Sequence, residues 1–125
     1  IMGLGAAAKF AQDHGRESAS ESLGFAQAFK DQVAVLPQLK VYGPEKLAVP
    51  LVSVNFAQEA SEEVALVLSE FFQIAVRGGL HCAPLAHKTL GTMEQGTVRF
   101  SFGHGNTKQD LAAAICAVQA ICEKL

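Results

Sequence analysis

The residue with the clearest capacity for chemistry is Cys82, which lies in the run Arg77-Gly-Gly-Leu-His-Cys-Ala-Pro84. The two glycines let the backbone bend before the thiol, and Pro84 stiffens the chain after it. His81 adjoins the cysteine and Arg77 precedes it, and cations close to a thiol favour the nucleophilic thiolate. Spacing alone leaves two interpretations equally open, a reactive thiol and a small buried side chain.

The other two cysteines have a different setting. Cys116 and Cys122 lie among Ala, Ile and Val near the end of the chain, which predicts that both pack in the core. Three cysteines without a CxxC pair argue against a disulfide framework, so a reducing cytoplasm is the expected location.

Arg99 is the second candidate for a functional role. It lies on a predicted strand, residues 97–102, in which Val98, Phe100 and Phe102 alternate with polar residues. The alternation points Arg99 away from the apolar face. A guanidinium held by a rigid strand suits bidentate binding of a carboxylate or phosphate. A surface arginine and a structural ion pair remain equally open on this pattern alone.

The histidines provide little evidence for a metal site. His81, Cys82 and His87 can be read as three zinc ligands, but their spacing matches no standard structural site and a fourth ligand is missing. The sequence therefore predicts no metal. His14 and His104 are predicted to be isolated and solvent-facing.

Composition predicts one folded domain. Half of the 125 residues are hydrophobic, 18% are charged and the formal charge is −2, which is typical of a globular protein. Such a charge argues against a nucleic-acid or anionic-membrane surface. No apolar run approaches the roughly 20 residues that a bilayer requires.

The hydrophobic periodicity predicts an α+β fold, a small and mainly antiparallel sheet with helices packed on one face. The predicted elements are a helix over 2–14 ending near Gly15, a polar segment over 16–21 that is a bend or a helix start, a helix to about Val35, strands over 39–42 and 52–56, a helix from Ser61, a strand over 74–77, a loop over 78–93, a strand over 97–102 and a closing helix.

Some helix ends and faces are predicted in detail. Ser61 is expected to cap its helix, and Thr107 with Asp110 resembles a capping box. The long loop over 78–93 is of a size that tends to be functional. The predicted buried positions are Val64, Val67, Leu68 and Phe71 on the helix after Ser61, and Leu111, Ile115, Val118 and Cys122 on the last helix.

Together these residues resemble the C-terminal small domain of the class V aminotransferase family, specifically cysteine desulfurases. The resemblance covers nearly the whole chain and rests on the segments "KVYGP", "VPLVSVNF", "IAVRGGLHCAPLAHKTLGT" and "GTVRFSFGHGNTKQD". It implies a fold-type I transferase that uses pyridoxal 5′-phosphate, usually as a homodimer. These enzymes convert L-cysteine to L-alanine and pass the sulfur to an enzyme cysteine as a persulfide.

The resemblance also implies roles for single residues. Cys82 matches the persulfide-forming cysteine, and Arg99 matches the arginine that binds the substrate carboxylate. Arg77 matches an arginine at the edge of the active site and is expected to bind substrate together with Arg99, with His81 as a supporting residue. Asn106 and Thr107 match the start of a helix.

The resemblance further implies that the chain is part of a longer protein. Ile1 is not an initiator, and residues 1–16 are expected to be the remnant of a helix that connects to a large domain, with 17–125 as the small domain. The family's Schiff-base lysine belongs to the large domain, and Lys88 is not counted as that lysine. We therefore expect no cofactor-binding residue in this chain, and no activity from it in isolation.

Two alternative functions stay open. One is a stand-alone sulfur-carrier or interaction domain without pyridoxal phosphate chemistry; the other is an aminotransferase-like lyase of the same family. The chain differs from better-known desulfurases at Gly78, Leu80 and Gly105, which leaves the substrate open between cysteine and selenocysteine. The sulfur-acceptor protein is not indicated by the sequence.

Overall fold

Three antiparallel strands form one sheet in the order β1-β2-β3. The computed structural model describes residues 1–125. The elements are α1 (Met2–Val33), β1 (Leu39–Tyr42), β2 (Leu51–Phe56), α2 (Ser61–Phe72), α3 (Pro84–Leu90), β3 (Val98–Ser101) and α4 (Lys108–Cys122). The predicted α+β class with an antiparallel sheet is confirmed. None of the helices is both long and apolar enough to cross a membrane.

One face of the sheet carries the hydrophobic core. Val52 lies opposite Phe100 and Val54 lies opposite Val98, so the apolar members of the strand alternation share a face. Residues of α1, α2 and α4 complete the core on this side. The ring of Phe29 from α1 lies 4.6 Å from that of Phe100, which locks the longest helix to the last strand.

The other face of the sheet is polar and positions the candidate site. Arg99 lies opposite Ser53, and Ser53 lies opposite Tyr42. Directly opposite residues share a face, so the three side chains form a row across the sheet. The short helix α3 borders this face, while the three longer helices pack against the core face.

Residues Met2–Val33 form one helix, so the prediction of two helices, with a bend or a helix start over 16–21, is wrong. Glycine in a helix interior costs about 1 kcal/mol relative to alanine, and Gly15 alone does not end a helix that contains no proline. The buried residues of α1 all lie between Ser22 and Val33, so its first half is exposed. The predicted domain boundary after residue 16 lies inside this helix.

The predicted strand over 74–77 is also wrong, apart from its last residue. Gln73 adopts a left-handed φ of 56° that ends α2, and the Ile74 N–H donates to the Leu68 carbonyl at 3.0 Å. The first residue of the predicted strand is therefore used to close the helix. Only Arg77 pairs with the sheet, through a single bridge to Arg99.

The segment predicted as a continuous loop over 78–93 contains α3. Pro84 begins this helix, where proline's missing N–H costs nothing because the first turn has no intrahelical acceptor for it. Gly91, with a φ of 72°, ends it in the left-handed conformation that favours glycine. The loop is thus two short connections on either side of a helical turn.

Two predicted helix starts have different outcomes. The capping box of α4 is confirmed, since Thr107 Oγ1 accepts from the Asp110 N–H at 3.2 Å and the Asp110 carboxylate accepts from the Thr107 N–H at 2.7 Å. The predicted cap by Ser61 is wrong. Ala60 holds the cap position without a side-chain bond, because the Ser61 hydroxyl is used elsewhere.

The predicted burial of helix faces is partly correct. Val64 and Leu68 are buried, but Val67 is 36% and Phe71 79% exposed, because α2 covers only the edge of the core. On α4, Ile115, Val118 and Cys122 are buried as predicted, and Leu111 packs against the core while partly buried.

Two predictions about single side chains are corrected. Cys116 is exposed rather than buried, because it lies on the side of α4 that carries the exposed Gln119. His14 and His104 are exposed as predicted, but they are not isolated. Both rings contact the ring of Phe10, at centroid distances of 4.9 and 4.7 Å.

Candidate active site

A tight turn presents Cys82 to solvent. The Ala83 N–H donates to the Leu80 carbonyl at 2.9 Å, which closes a four-residue turn around His81 and Cys82. Both central residues have positive φ, 52° and 60°, a conformation that costs a residue with a Cβ roughly 1–2 kcal/mol. Hairpin turns of this kind normally carry Asn and Gly. The His-Cys pair here is therefore strained, and Cys82 is exposed.

The guanidinium of Arg77 lies beside the thiol. Its Nη2 donates to the Sγ of Cys82 at 3.7 Å. The contact places a positive charge beside the sulfur atom of the candidate nucleophile. Arg77 and Cys82, which are five positions apart in the sequence, are thus in direct side-chain contact.

Arg77 and Arg99 form a backbone pair that the sequence did not predict. The Arg99 N–H donates to the Arg77 carbonyl at 2.8 Å, and the reverse bond measures 3.3 Å. Residues that pair in this way have neighbouring side chains on one face of the sheet. Two guanidinium groups therefore extend from adjacent positions on the polar face.

Neither arginine has an acidic partner. The one ion pair in the chain joins Lys9 to Asp13 on α1, and the buried Nε of Arg99 has no hydrogen-bond partner. The ion-pair interpretation of Arg99 is therefore not supported. Two cations side by side without an acidic partner are chemically suited to bind an anion such as a carboxylate.

His81 connects the turn to the start of β3. Its Nε2 lies 3.1 Å from the Oγ1 of Thr97, which is buried. Burial lowers the pKa of His81 below its usual 6.5, and the charge of Arg99 lowers it further, against the opposing effect of hydrogen bonding to the Thr97 backbone. His81 is therefore a neutral ring at pH 7, and its buried Nδ1 has no partner.

Ser61 is a supporting residue that the sequence analysis missed. It is 2% exposed, and its Oγ accepts from the Gly79 N–H at 2.9 Å. A Cβ on Gly78 would lie 2.5 Å from the Ser61 carbonyl oxygen, so glycine is required there for close approach. The pair Gly78-Gly79 was the sequence signal for a close backbone contact at this position. Nothing in the sequence near Ser61 indicated that Ser61 is the residue contacted.

His87 is a second buried residue whose role was not predicted. It is 4% exposed on α3, and its Nδ1 lies 2.8 Å from the Oγ1 of Thr92. The Thr92 N–H also donates to the His87 carbonyl at 2.9 Å. The ring centroids of His81 and His87 are 5.9 Å apart, and the chain has no group of three or more His, Cys, Asp or Glu side chains arranged to hold a metal ion.

A groove of about 540 Å³ runs along the polar face beside Arg99. Its lining is mainly apolar and includes no lysine, and Lys88 lies exposed on α3. The groove beside Arg99 therefore does not fit a Schiff-base site for pyridoxal phosphate. The lining residues are Tyr42, Gly43, Pro44, Leu47, Ala48, Val49, Leu51, Ser53, His81, Ala83, Ala86, His87, Leu90, Thr97 and Arg99.

Sequence comparison gives relatives of one kind. Cysteine desulfurase CsdA of Escherichia coli (strain K12) is 31% identical over 126 residues, which is 100% of this chain and 30% of that protein. A probable cysteine desulfurase of Methanothermobacter thermautotrophicus is 30% identical over 113 residues, 89% of this chain and 28% of the relative. The chain thus spans less than a third of the length of these relatives.

Solved structures agree with the sequence comparison. The apo cysteine desulfurase of Thermococcus onnurineus NA1 superposes with a TM-score of 0.83 at 25% identity, over 94% of this chain and 29% of that one. The S-sulfonic acid structure of E. coli CsdA gives a TM-score of 0.75 at 31% identity, over 86% and 26%. The sequence profile described as Aminotransferase class-V matches residues 1–113, and the chain therefore belongs to the class V aminotransferase family.

Proposed function

We propose that this protein acts in cysteine desulfuration, with Cys82 as the sulfur-accepting residue and Arg99 as the residue that binds the substrate carboxylate. The observation that carries the proposal is the exposed Cys82 thiol, 3.7 Å from the Arg77 guanidinium and on the same side of the fold as an unpaired Arg99. The cysteine desulfurases among its relatives support the same activity.

The reaction balances without an external oxidant. The Cys82 thiolate attacks the sulfur of L-cysteine and forms the S–S bond of a persulfide. The substrate's carbon–sulfur bond breaks, its electron pair stays on carbon, and that carbon takes up a proton to give L-alanine. Pyridoxal phosphate, when bound, supplies the electron sink that makes this bond labile.

The arginines have separate tasks in this proposal. Arg99, rigid on β3 and with its Nε buried, orients the substrate through its carboxylate. Arg77 stays with the sulfur of Cys82 and stabilises the negative charge on the attacking thiolate. Neutral His81 holds the turn against Thr97 and adds no third positive charge.

The cofactor and the partners belong to the same proposal. Since the groove beside Arg99 has no lysine in its lining, the Schiff-base lysine and the cofactor are assigned to a large domain outside these 125 residues, with residues 1–16 as part of the connecting helix. The complete protein is proposed to act as a cytoplasmic homodimer that passes sulfur to an acceptor protein, and the isolated chain is proposed to be inactive.

Sulfide release tests this proposal. The protein expressed from its full reading frame is incubated with L-cysteine and a thiol reductant, which frees the persulfide sulfur as sulfide. We expect sulfide and alanine in equal amounts, and neither from residues 1–125 alone. Alanine and sulfide formation at the wild-type rate by a Cys82→Ala variant would contradict the proposal. Sulfur uptake by Cys82 only from an added persulfide donor would instead favour the stand-alone sulfur carrier.

A further inference from the structure

The backbone pairing that begins at Arg77 and Arg99 continues to one further pair of residues, which forms only one of its two hydrogen bonds. In an antiparallel ladder the next hydrogen-bonded pair after these residues is Gly79 with Thr97. The Thr97 N–H donates to the Gly79 carbonyl at 3.1 Å, as that pattern requires. The reciprocal bond is missing, because the Gly79 N–H donates to the Ser61 hydroxyl at 2.9 Å instead.

This exchange of partners determines where the chain leaves the sheet. A backbone N–H that is buried must have an acceptor, and the Ser61 hydroxyl supplies one from outside the ladder. The chain therefore turns away from β3 after Gly79. It enters the left-handed turn that exposes Cys82 next to Arg77.

Ser61 is itself held firmly. It is buried, its N–H donates to the Gln95 carbonyl at 3.1 Å, and its hydroxyl donates to Glu62 at 3.1 Å. A Cβ on Gly96 would collide with its hydroxyl oxygen. The serine thus touches both segments that lead to the site, the one before Cys82 and the one before Arg99.

We propose that Ser61 is a positioning residue for Cys82: its hydroxyl ends the Arg77–Arg99 ladder at Gly79 and so sets the turn that brings the thiol to the Arg77 guanidinium. The purpose of this role, sulfur transfer to Cys82, rests on the proposed function. The position of the thiol can be measured without turnover. Ser61 touches no substrate and takes no part in bond making.

Competitive alkylation measures this role in the protein expressed from its full reading frame. Iodoacetamide labelling of Cys82 is compared with that of the exposed Cys116 in the same molecule, and the buried Cys122 reports any general loosening. The variants are Ser61→Ala, the hydroxyl-retaining Ser61→Thr, and Ser69→Ala as a matched control at an exposed position of α2.

We expect Ser61→Ala to lower the Cys82-to-Cys116 labelling ratio about 5-fold, because the sulfur moves away from the Arg77 guanidinium that contacts it at 3.7 Å in the wild type. Ser61→Thr and Ser69→Ala are expected to keep the wild-type ratio, with Cys122 protected throughout. An unchanged ratio in Ser61→Ala would overturn the proposal. If Cys122 becomes labelled in Ser61→Ala, the Ser61→Thr variant decides between the two outcomes. A wild-type Cys82-to-Cys116 labelling ratio in Ser61→Thr supports the positioning role. A lowered ratio in Ser61→Thr, or labelling of Cys122 in that variant as well, overturns the proposal.

Sulfur transfer provides the second readout. In Ser61→Ala we expect single-turnover sulfur transfer to Cys82 to slow about 10-fold while the KM for L-cysteine stays within about 2-fold, as misplacement of one reacting group predicts. A raised KM with an unchanged transfer rate would contradict the positioning role. If the wild type takes up no sulfur, the proposed function fails, but the labelling ratio still tests Ser61.

Discussion

Arg77 and Arg99 lie directly opposite each other, joined by two backbone hydrogen bonds of 2.8 and 3.3 Å. Like charges at such positions repel and destabilise a sheet. Neither guanidinium has a carboxylate partner in the chain, so nothing within these residues offsets the repulsion. In the proposed function the two charges have separate partners, the substrate carboxylate for Arg99 and the Cys82 sulfur for Arg77.

Replacing Arg99 tests this explanation by substrate affinity. Hydrogen bonds to charged groups contribute about 1.5–3 kcal/mol, so we expect Arg99→Gln to raise the KM for L-cysteine roughly 10- to 100-fold. Arg99→Lys should recover only part of this, because lysine cannot bind a carboxylate bidentately. Arg16→Gln, at an exposed position on α1, is the matched control. An unchanged KM in Arg99→Gln would show that the carboxylate binds elsewhere.

Gly78 tests the packing that holds the site together. A Cβ there would lie 2.5 Å from the Ser61 carbonyl oxygen and 2.9 Å from the Cα of Glu62. We expect Gly78→Ala to lower the free energy of unfolding by about 1–3 kcal/mol, the usual cost of overpacking, as measured by urea denaturation. Gly24→Ala is the control, because no atom lies within 4 Å of its added Cβ and alanine favours a helix by up to about 1 kcal/mol. Equal stability of the Gly78 variant and wild type would contradict this packing.

His81 predicts a pH dependence of stability. Burial and the Arg99 charge lower its folded-state pKa below 6.5, so the unfolded chain binds the proton more readily. The resulting stability is fully present above pH 6.5 and is lost as the pH falls through the folded-state pKa. We expect wild type to lose more stability than His81→Asn on acidification, measured by urea denaturation over a pH series. Asparagine suits the left-handed φ at this position.

The exposed His14 supplies the control for that series. His14→Asn, introduced into both proteins, should leave the difference between their stability curves unchanged, since His14 lies on the exposed half of α1. Parallel curves for wild type and His81→Asn would mean that the environment of His81 does not disfavour its charged form.

The three thiols are expected to react differently under native conditions. Cys82 and Cys116 are exposed, whereas Cys122 is buried and burial raises its pKa. We expect iodoacetamide to label the first two and to reach Cys122 only after denaturation, as read from peptide masses. Rapid native labelling of Cys122 would contradict the packing of α4, and protection of Cys116 would show that another surface covers it.

The sequence was informative where a signal is local. The alternation in residues 97–102 placed Arg99 on the polar face, and the Thr107–Asp110 pair marked the start of α4. The glycines before Cys82 and the proline after it predicted a loop at the cysteine. Each of these depends on neighbours within a few positions, and periodicity or turn chemistry is enough to predict it.

The features that the sequence did not predict depend on contacts between distant segments. Gln73, which is not a glycine, ends α2 in a left-handed conformation and so reduces the predicted strand over 74–77 to one bridge. The local sequence predicts Ser61 as a helix cap, but in the fold its hydroxyl accepts from the Gly79 N–H. No local pattern contains the pairing of Arg77 with Arg99, because it depends on where both segments leave their neighbouring elements.

The central claim is that Cys82 accepts sulfur from the substrate, and the mass of its peptide tests this most directly. The protein from the full reading frame is incubated with L-cysteine, alkylated without reductant, digested and analysed by mass spectrometry, with Cys116→Ala as the matched thiol control. We predict one added sulfur atom on the Cys82 peptide, in wild type and control alike, and none on the Cys122 peptide. Alanine formation with an unmodified Cys82, or with the added sulfur on Cys116, would contradict the account.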